Sequence, residues 1–341
     1  MKSLYTKLFI AGLLIVNTII LSQHLSQNTS PDTSNLFVVR EKKKCGYINC
    51  NGDLIIKPAF RAAGVFTGNL ARAMQDSLWG FINTKGEFII KPQFTLAQDF
   101  SEGLAEVWVN DKHFYIDTLG HAVFETSFKN TGKFSNGLSK VYSNEGFTKG
   151  FINNKGDLVI PADYLYAEDF SEGLVNVSEK FLDVKGEPAI EAKDYKIMKG
   201  FSEGLAVVVK KDGSPAFINK NGQIVIELKE LNVSSAYCFS DGLAVVNETG
   251  KDHRSGYINR NGKLLIPFKF AEANGFSEGL AGVRDELNGL WGFVNKRGEW
   301  IVKQRFTDIP SEGFQNGLAL VKENGKWGYI NPRGEYIWQE K

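Results

Sequence analysis

Along this chain an aromatic residue and an aliphatic one stand side by side, a polar Asn or Asp follows, and a Gly comes three residues later. The pattern occurs nine times, with its polar position at Asn49, Asn83, Asp117, Asn153, Asp183, Asn219, Asn259, Asn295 and Asn331. The spacings run from 30 to 40 residues and are most often 36. Such a period marks an array of supersecondary units that bury their apolar faces on one another. The aromatic column holds Tyr47, Phe81, Tyr115, Phe151, Phe181, Phe217, Tyr257, Phe293 and Tyr329, and with its aliphatic neighbour it suits a strand covered on both faces. Asx followed by Gly three positions on predicts a type I turn closing into a Gly bulge. That explains both polar columns as hairpin chemistry rather than ligand chemistry.

The returning strand, for example Phe88-Ile89-Ile90, carries consecutive apolar residues and reads as buried on both faces. Pro58, Pro92, Pro161 and Pro267 read as its terminators, because proline cannot donate to a ladder. A linker with apolar residues three apart follows, as in Phe94, Ala97 and Phe100, and predicts a single helical or 3₁₀ turn. It ends in Phe-x-x-Gly-Leu, most plainly Phe100-Ser101-Glu102-Gly103-Leu104, from which a strand with Ala105 and Val107 opens. The fold class is therefore all-β: nine units of about 36 residues, each with three antiparallel strands and a short helical connection.

The full unit resembles the bacterial WG-repeat (KWG-repeat) family over roughly Leu36 to the C-terminus. The Trp-Gly pair stands at Trp79-Gly80, Trp291-Gly292 and Trp327-Gly328, and Gly alone at Gly46, Gly150 and Gly256. Phe114 (after His113), Lys180 and Ala216 depart from it. The resemblance implies a β-repeat array, often exported or joined to other domains, and supplies no catalytic residues. Such units close into a β-propeller-like ring or continue as an open superhelical array. The ring is favoured because neither terminal unit is a polar cap: the last ends in Tyr336-Ile337-Trp338 and the first keeps Ile48, Ile55 and Ile56.

Residues 1–22 break the pattern. Lys2 and Lys7 precede an apolar run from Leu8 to Leu21, the layout of a signal peptide or signal anchor. Residues 23–35 form a polar spacer, and 36–341 a single repeat domain. The expected location is exported: periplasmic, cell-surface or secreted, with a possible membrane tether through residues 1–22.

Charge narrows the function. The chain has 40 basic and 39 acidic side chains, and without the first 35 residues the counts are 38 and 38. That balance lacks the basic field a nucleic-acid binder needs. Four histidines, His24, His113, His121 and His253, form no metal spacing with each other or with Cys45, Cys50 and Cys238. No metal or cofactor is expected. Glu102, Glu172, Glu203, Asp241 and Glu278 recur before Gly in the Phe-x-x-Gly-Leu turn. Their shared setting argues for turn chemistry, whereas a glycosidase needs two carboxylates in different settings.

The connection between the first strand and the aromatic strand varies most between units. Loops on a rigid β scaffold commonly carry recognition. Glu248, Lys251, Asp252, His253 and Arg254 form the densest polar cluster in these loops, and Asn110 and Asp111 occupy the matching turn of unit three. These are the candidate binding residues. The favoured function is an exported non-enzymatic scaffold for a protein or cell-envelope ligand, and the alternative is a cell-envelope carbohydrate-active hydrolase using rim carboxylates.

Overall fold

The computed structural model describes residues 35–341 apart from Lys129, Ser178, Met198 and Lys251. The expected signal peptide or signal anchor, 1–22, and the expected spacer up to residue 34 lie outside the described residues. Nine small antiparallel sheets form nine blades in a ring, seven of them four-stranded and two three-stranded. Blade 2 shows the plan, with strands Ala62–Ala63, Ala71–Gln75, Leu78–Ile82 and Phe88–Phe94 paired in chain order. Blades 1 (Phe37–Phe60) and 5 (Leu174–Glu191) have three described strands each.

The expected helical linker is a strand. Ala62 pairs with Met74 and Ala63 with Ala73, and the Gly64 amide donates to the Arg72 carbonyl. The apolar three-residue spacing fits both conformations; a free sheet edge alongside selects the strand, because it satisfies the linker amides. The helix among the described residues is a single 3₁₀ turn, Lys229–Leu231.

The fourth strand is covered on one face only. Ile90 is buried while Ile89 is 48% exposed, and Val225 and Ile301 repeat this. An edge strand facing a neighbour on one side leaves its alternate residues in water. Nor do the prolines end these strands. Pro92 lies inside Phe88–Phe94, in a bulge where Trp79 pairs with Phe94 and Phe81 with Ile90. Three residues, 91–93, thus oppose Gly80 alone, and a Cβ on Gly80 would sit 2.5 Å from the Ile90 carbonyl oxygen. The same bulge lies over Gly46, Gly150, Gly256 and Gly292. Where the Gly is replaced, Phe114, Lys180 and Ala216 pair directly with Glu125, Glu191 and Glu227, without a bulge at this position. In the five blades that carry the bulge the Gly is therefore its seat; Gly328 of blade 9 pairs directly with Gln339 without the bulge.

All nine Asx turns have the predicted form. In blade 4, Asn153 Oδ1 accepts from the Lys155 and Asp157 amides, and the Gly156 amide donates to the Asn153 carbonyl. Gly156 has φ +87°, and its added Cβ would meet the Phe124 ring of blade 3 at 2.7 Å. Both conformation and close approach demand Gly here.

The core is a set of slabs between blades. The aromatic column of each blade packs on the Phe of the next blade's Phe-x-x-Gly-Leu turn, as Phe81 does on Phe100 (4.6 Å) and Phe217 on Phe239 (4.9 Å). Closure uses the same contact. Tyr329 of blade 9 meets Phe37 of blade 1 at 5.3 Å, and its hydroxyl donates to the Val38 carbonyl. The ring is closed, so the open array does not apply.

Candidate binding rim

Antiparallel order puts the Phe-x-x-Gly-Leu and Asx turns at one end of every blade and the variable connections at the other. At the turn end, Ser101 Oγ donates to the Phe134 carbonyl of the next blade, and Ser135, Ser171, Ser202, Ser240 and Ser277 repeat the bond at 2.5–2.8 Å. The adjacent carboxylates accept from the next blade's backbone. Glu102 takes the Asn136 and Gly137 amides, Glu172 the Gly204 amide, Glu203 the Gly242 amide, Asp241 the Gly279 amide and Glu278 the Gly317 amide. Lys220, Arg260 and Lys296 add ion pairs to Glu172, Glu203 and Asp241. Burial pushes the Glu172 carboxyl up, yet the Gly204 amide and Lys220 outweigh it and hold it below its ordinary value. In Asp241 burial is likewise outweighed, by Lys296 and the Gly279 amide. A general acid needs the opposite shift. These side chains are fasteners between blades.

Among the described residues the loop end carries no such repeated ladder, and its connections divide by position. Blades 9, 1, 2 and 3 close with two-residue turns at 324–325, 42–43, 76–77 and 110–111. Blades 4 to 8 carry the longer connections 143–148, 177–179, 211–214, 249–254 and 285–290. These long loops share one continuous arc, because successive blades are neighbours in the ring. Phe147 (71% exposed), Leu165 (76%), Leu287 (63%) and Leu290 (43%) project from the arc into water.

The sequence-predicted residues fall on this rim but do not meet. Asn110 and Asp111 form the tight left-handed turn of blade 3, with φ 48° and 64°. The other candidates belong to blade 7, four blades away, and Lys251 lies outside the described residues. Asp252 and His253 are exposed. Arg254 is not free for a partner: its guanidinium donates to the Lys269 carbonyl and to the Asp285 carbonyl of blade 8. Glu248 Oε1 accepts from the Arg254 amide at 3.3 Å. Sequence reasoning passed over the exposed apolar residues; the available signal was Phe147 and Leu287 inside otherwise polar loops.

A second polar group lies buried between blades 3 and 4. Glu106 is 3% exposed, and its Oε1 lies 3.5 Å from His113 Nδ1, longer than a hydrogen bond. Burial pushes the Glu106 carboxyl up to about 7, with the Thr131 hydroxyl pulling against it, and burial lowers His113. His113 occupies the Trp column, and its ring meets that of Trp108 at a tilt, with centroids 4.8 Å apart. In its place, Trp79 and Trp291 carry Arg72 and Arg284 over their rings at 5.1 and 5.0 Å. Among the described residues no three His, Cys, Asp or Glu side chains converge as metal ligands, and Cys45, Cys50 and Cys238 are free thiols.

Nine blades built on one repeated strand–turn unit, with a fastened rim and a variable rim, define a repeat β-propeller, a fold consistent with a scaffold or binding role. The model of the WG containing repeat matches residues 46–79, 79–112, 150–180, 216–251, 256–289 and 291–327. The chain belongs to that family. Phe114, which replaces the bulge-seat Gly, lies in the stretch 113–149 between two of these matches. No curated protein sequence matches this chain. Among solved structures, a eukaryotic initiation factor is similar at TM-score 0.59 and 12% identity, over 90% of this chain and 96% of that one. BamB from Moraxella catarrhalis is similar at TM-score 0.41 and 13% identity, over 91% of this chain and 95% of that one.

Proposed function

We propose that the protein is an exported, non-enzymatic scaffold that binds a protein or cell-envelope component through the long-loop arc of blades 4 to 8. The observation that carries this reading is the concentration of long connections on adjacent blades, with Phe147, Leu165, Leu287 and Leu290 exposed among them. Exposed apolar side chains framed by polar ones mark interaction sites. Asp252 and His253 of blade 7 supply polar contacts between the apolar loops of blades 4 and 8. Export rests on the Lys2, Lys7 and Leu8-to-Leu21 pattern. Against the hydrolase alternative, five of the carboxylates it could recruit, Glu102, Glu172, Glu203, Asp241 and Glu278, are bonded to neighbouring blades.

The test is affinity capture from solubilised envelope fractions with the full chain as bait, beside a Phe147→Ser/Leu287→Ser variant. A saturable partner retained by the parent and lost by the variant, at equal thermal stability, supports the arc. Equal retention by both baits would place recognition elsewhere.

A further inference from the structure

A cleft of about 600 Å³ straddles the seam where the ring closes, at the loop end. Arg40, Glu41, Lys42 and Lys43 of blade 1 line one side, and Lys326, Glu340 and Lys341 of blade 9 the other. Five basic side chains face two acidic ones there, in a chain whose totals are nearly balanced at 40 basic and 39 acidic side chains. Both carboxylates are engaged: Glu41 lies 4.0 Å from Lys341, and Glu340 accepts from the Trp327 amide. Among the described residues, Arg40, Lys42, Lys43 and Lys326 make no ion pair.

The backbone points the same way. Lys42 and Lys43 form the two-residue turn of blade 1 with φ 46° and 65°. The matching turns use Asn110-Asp111 and Asn324-Gly325, residue types that accept left-handed conformations. Two consecutive lysines are a costly choice for this turn. A residue pair that the turn disfavours and no neighbour neutralises is explained by its charge.

We propose that the seam cleft binds a diphosphate group. Flexible ammonium groups serve as point charges for phosphate. Each phosphate carries about −1.5 to −2 charges, so two of them offset the lining excess of five cations over two carboxylates. Carboxylates would need three separate groups to do the same. A ligand held by Lys42 and Lys326 together bridges blades 1 and 9, so its binding stabilises the closed ring. The site lies on the tight-turn arc, away from blades 4 to 8, and does not depend on the partner proposed there.

The probe is inorganic pyrophosphate, titrated into the full chain and followed by calorimetry and thermal unfolding, with sodium chloride at matched ionic strength as control. Saturable binding and a melting temperature that rises beyond the salt control are expected. Lys42→Asn/Lys43→Gly supplies better turn residues, so the unliganded variant should melt at or above the parent while binding pyrophosphate at least tenfold more weakly. Lys326→Gln, outside the turn, should weaken binding as well. Vesicles of zwitterionic lipid doped with a diphosphate-bearing lipid distinguish a lipid source: retention of the parent but not the variants assigns the group to a headgroup, and solution binding alone assigns it to a soluble ligand. A pyrophosphate response no larger than that of salt, or unchanged binding by both variants, overturns the proposal.

Discussion

The Tyr329 hydroxyl donates a 3.1 Å hydrogen bond to the Val38 carbonyl, joining residues 291 apart in sequence. Tyr47, Tyr115 and Tyr257 make the equivalent bond to the Gly64, Gly132 and Asn274 carbonyls of the next blade. Blade 9 therefore treats blade 1 as its successor. Phe37 supplies the ring that a Phe-x-x-Gly-Leu turn supplies elsewhere. Among the described residues no strand is exchanged between the terminal sheets.

This contact sets a first prediction. Phe37→Ala should cost about 2–4 kcal/mol, less than a fully buried Phe because Phe37 is half-buried. Tyr329→Phe should cost about 1 kcal/mol through the unpaired Val38 carbonyl. Amide exchange would check this: protection should fall first in strands 37–41 and 326–330. Uniform loss around the ring would show that closure is not a local weak point.

The bulge seat gives a second. Gly80→Ala forces a Cβ to 2.5 Å from the Ile90 carbonyl oxygen and should destabilise by about 1–3 kcal/mol. Lys180→Ala, in the same column of a blade without the bulge, should stay within about 0.5 kcal/mol. Equal melting temperatures for the two variants would mean the Gly column has another cause.

What sequence could and could not reveal follows from which constraints are local. The Asx-Gly turn was legible because Asn153 and Gly156 satisfy each other within four residues. The ring was legible in outline, since neither terminal unit carries a polar cap. The Ala62–Ala63 strand was not, because three-residue apolar spacing suits a helical turn equally and only the edge at Ala73 decides. Nor was the role of Glu172 and Asp241 fully legible: their recurrence indicated turn chemistry, but their true partners, Gly204 and Gly279, belong to the following blade. Of the binding candidates, Asn110 and Glu248 looked comparable in sequence, and only the order of blades around the ring separates them. Arg254 read as a surface charge because carbonyls at Lys269 and Asp285 are invisible in a residue list.

A third prediction concerns pH. The folded Glu106 carboxyl titrates near 7, above its ordinary 4.5, so the folded state holds this proton more tightly than the unfolded chain. Its favourable contribution is complete below about 4.5 and is lost as pH rises through about 7, by up to about 3 kcal/mol. His113 acts in the opposite direction, because its lowered value costs stability as pH falls through its ordinary 6.5. The charges nearest this pair come from one another, with Tyr115, Thr131 and Ser139 as uncharged neighbours. Glu106→Gln should flatten the fall between pH 5 and 8 and leave the acid limb intact. Denaturant midpoints across that range measure it, and an unchanged slope in the variant would place the titration elsewhere.

The last prediction separates structure from recognition within the blade 7 loop. Arg254 holds the crossover to blade 8 through two carbonyl bonds of 2.9 and 2.8 Å. Hydrogen bonds from a charged donor contribute about 1.5–3 kcal/mol, so Arg254→Ala should lower stability by roughly that amount and loosen the 285–290 loop beside it. Asp252 and His253 are exposed, so Asp252→Ala/His253→Gly should leave stability within about 0.5 kcal/mol; Gly also suits the left-handed φ of 44° at His253. Replacing the whole loop with an Asn-Gly turn would therefore not be structurally silent, because it removes the Arg254 bonds along with the exposed tip. Thermal unfolding distinguishes the two halves, and partner capture by the double variant then reports on recognition alone. If the double variant loses stability as Arg254→Ala does, the tip is part of the scaffold; if it keeps both stability and partner, recognition rests on the apolar residues Phe147 and Leu287 without help from blade 7.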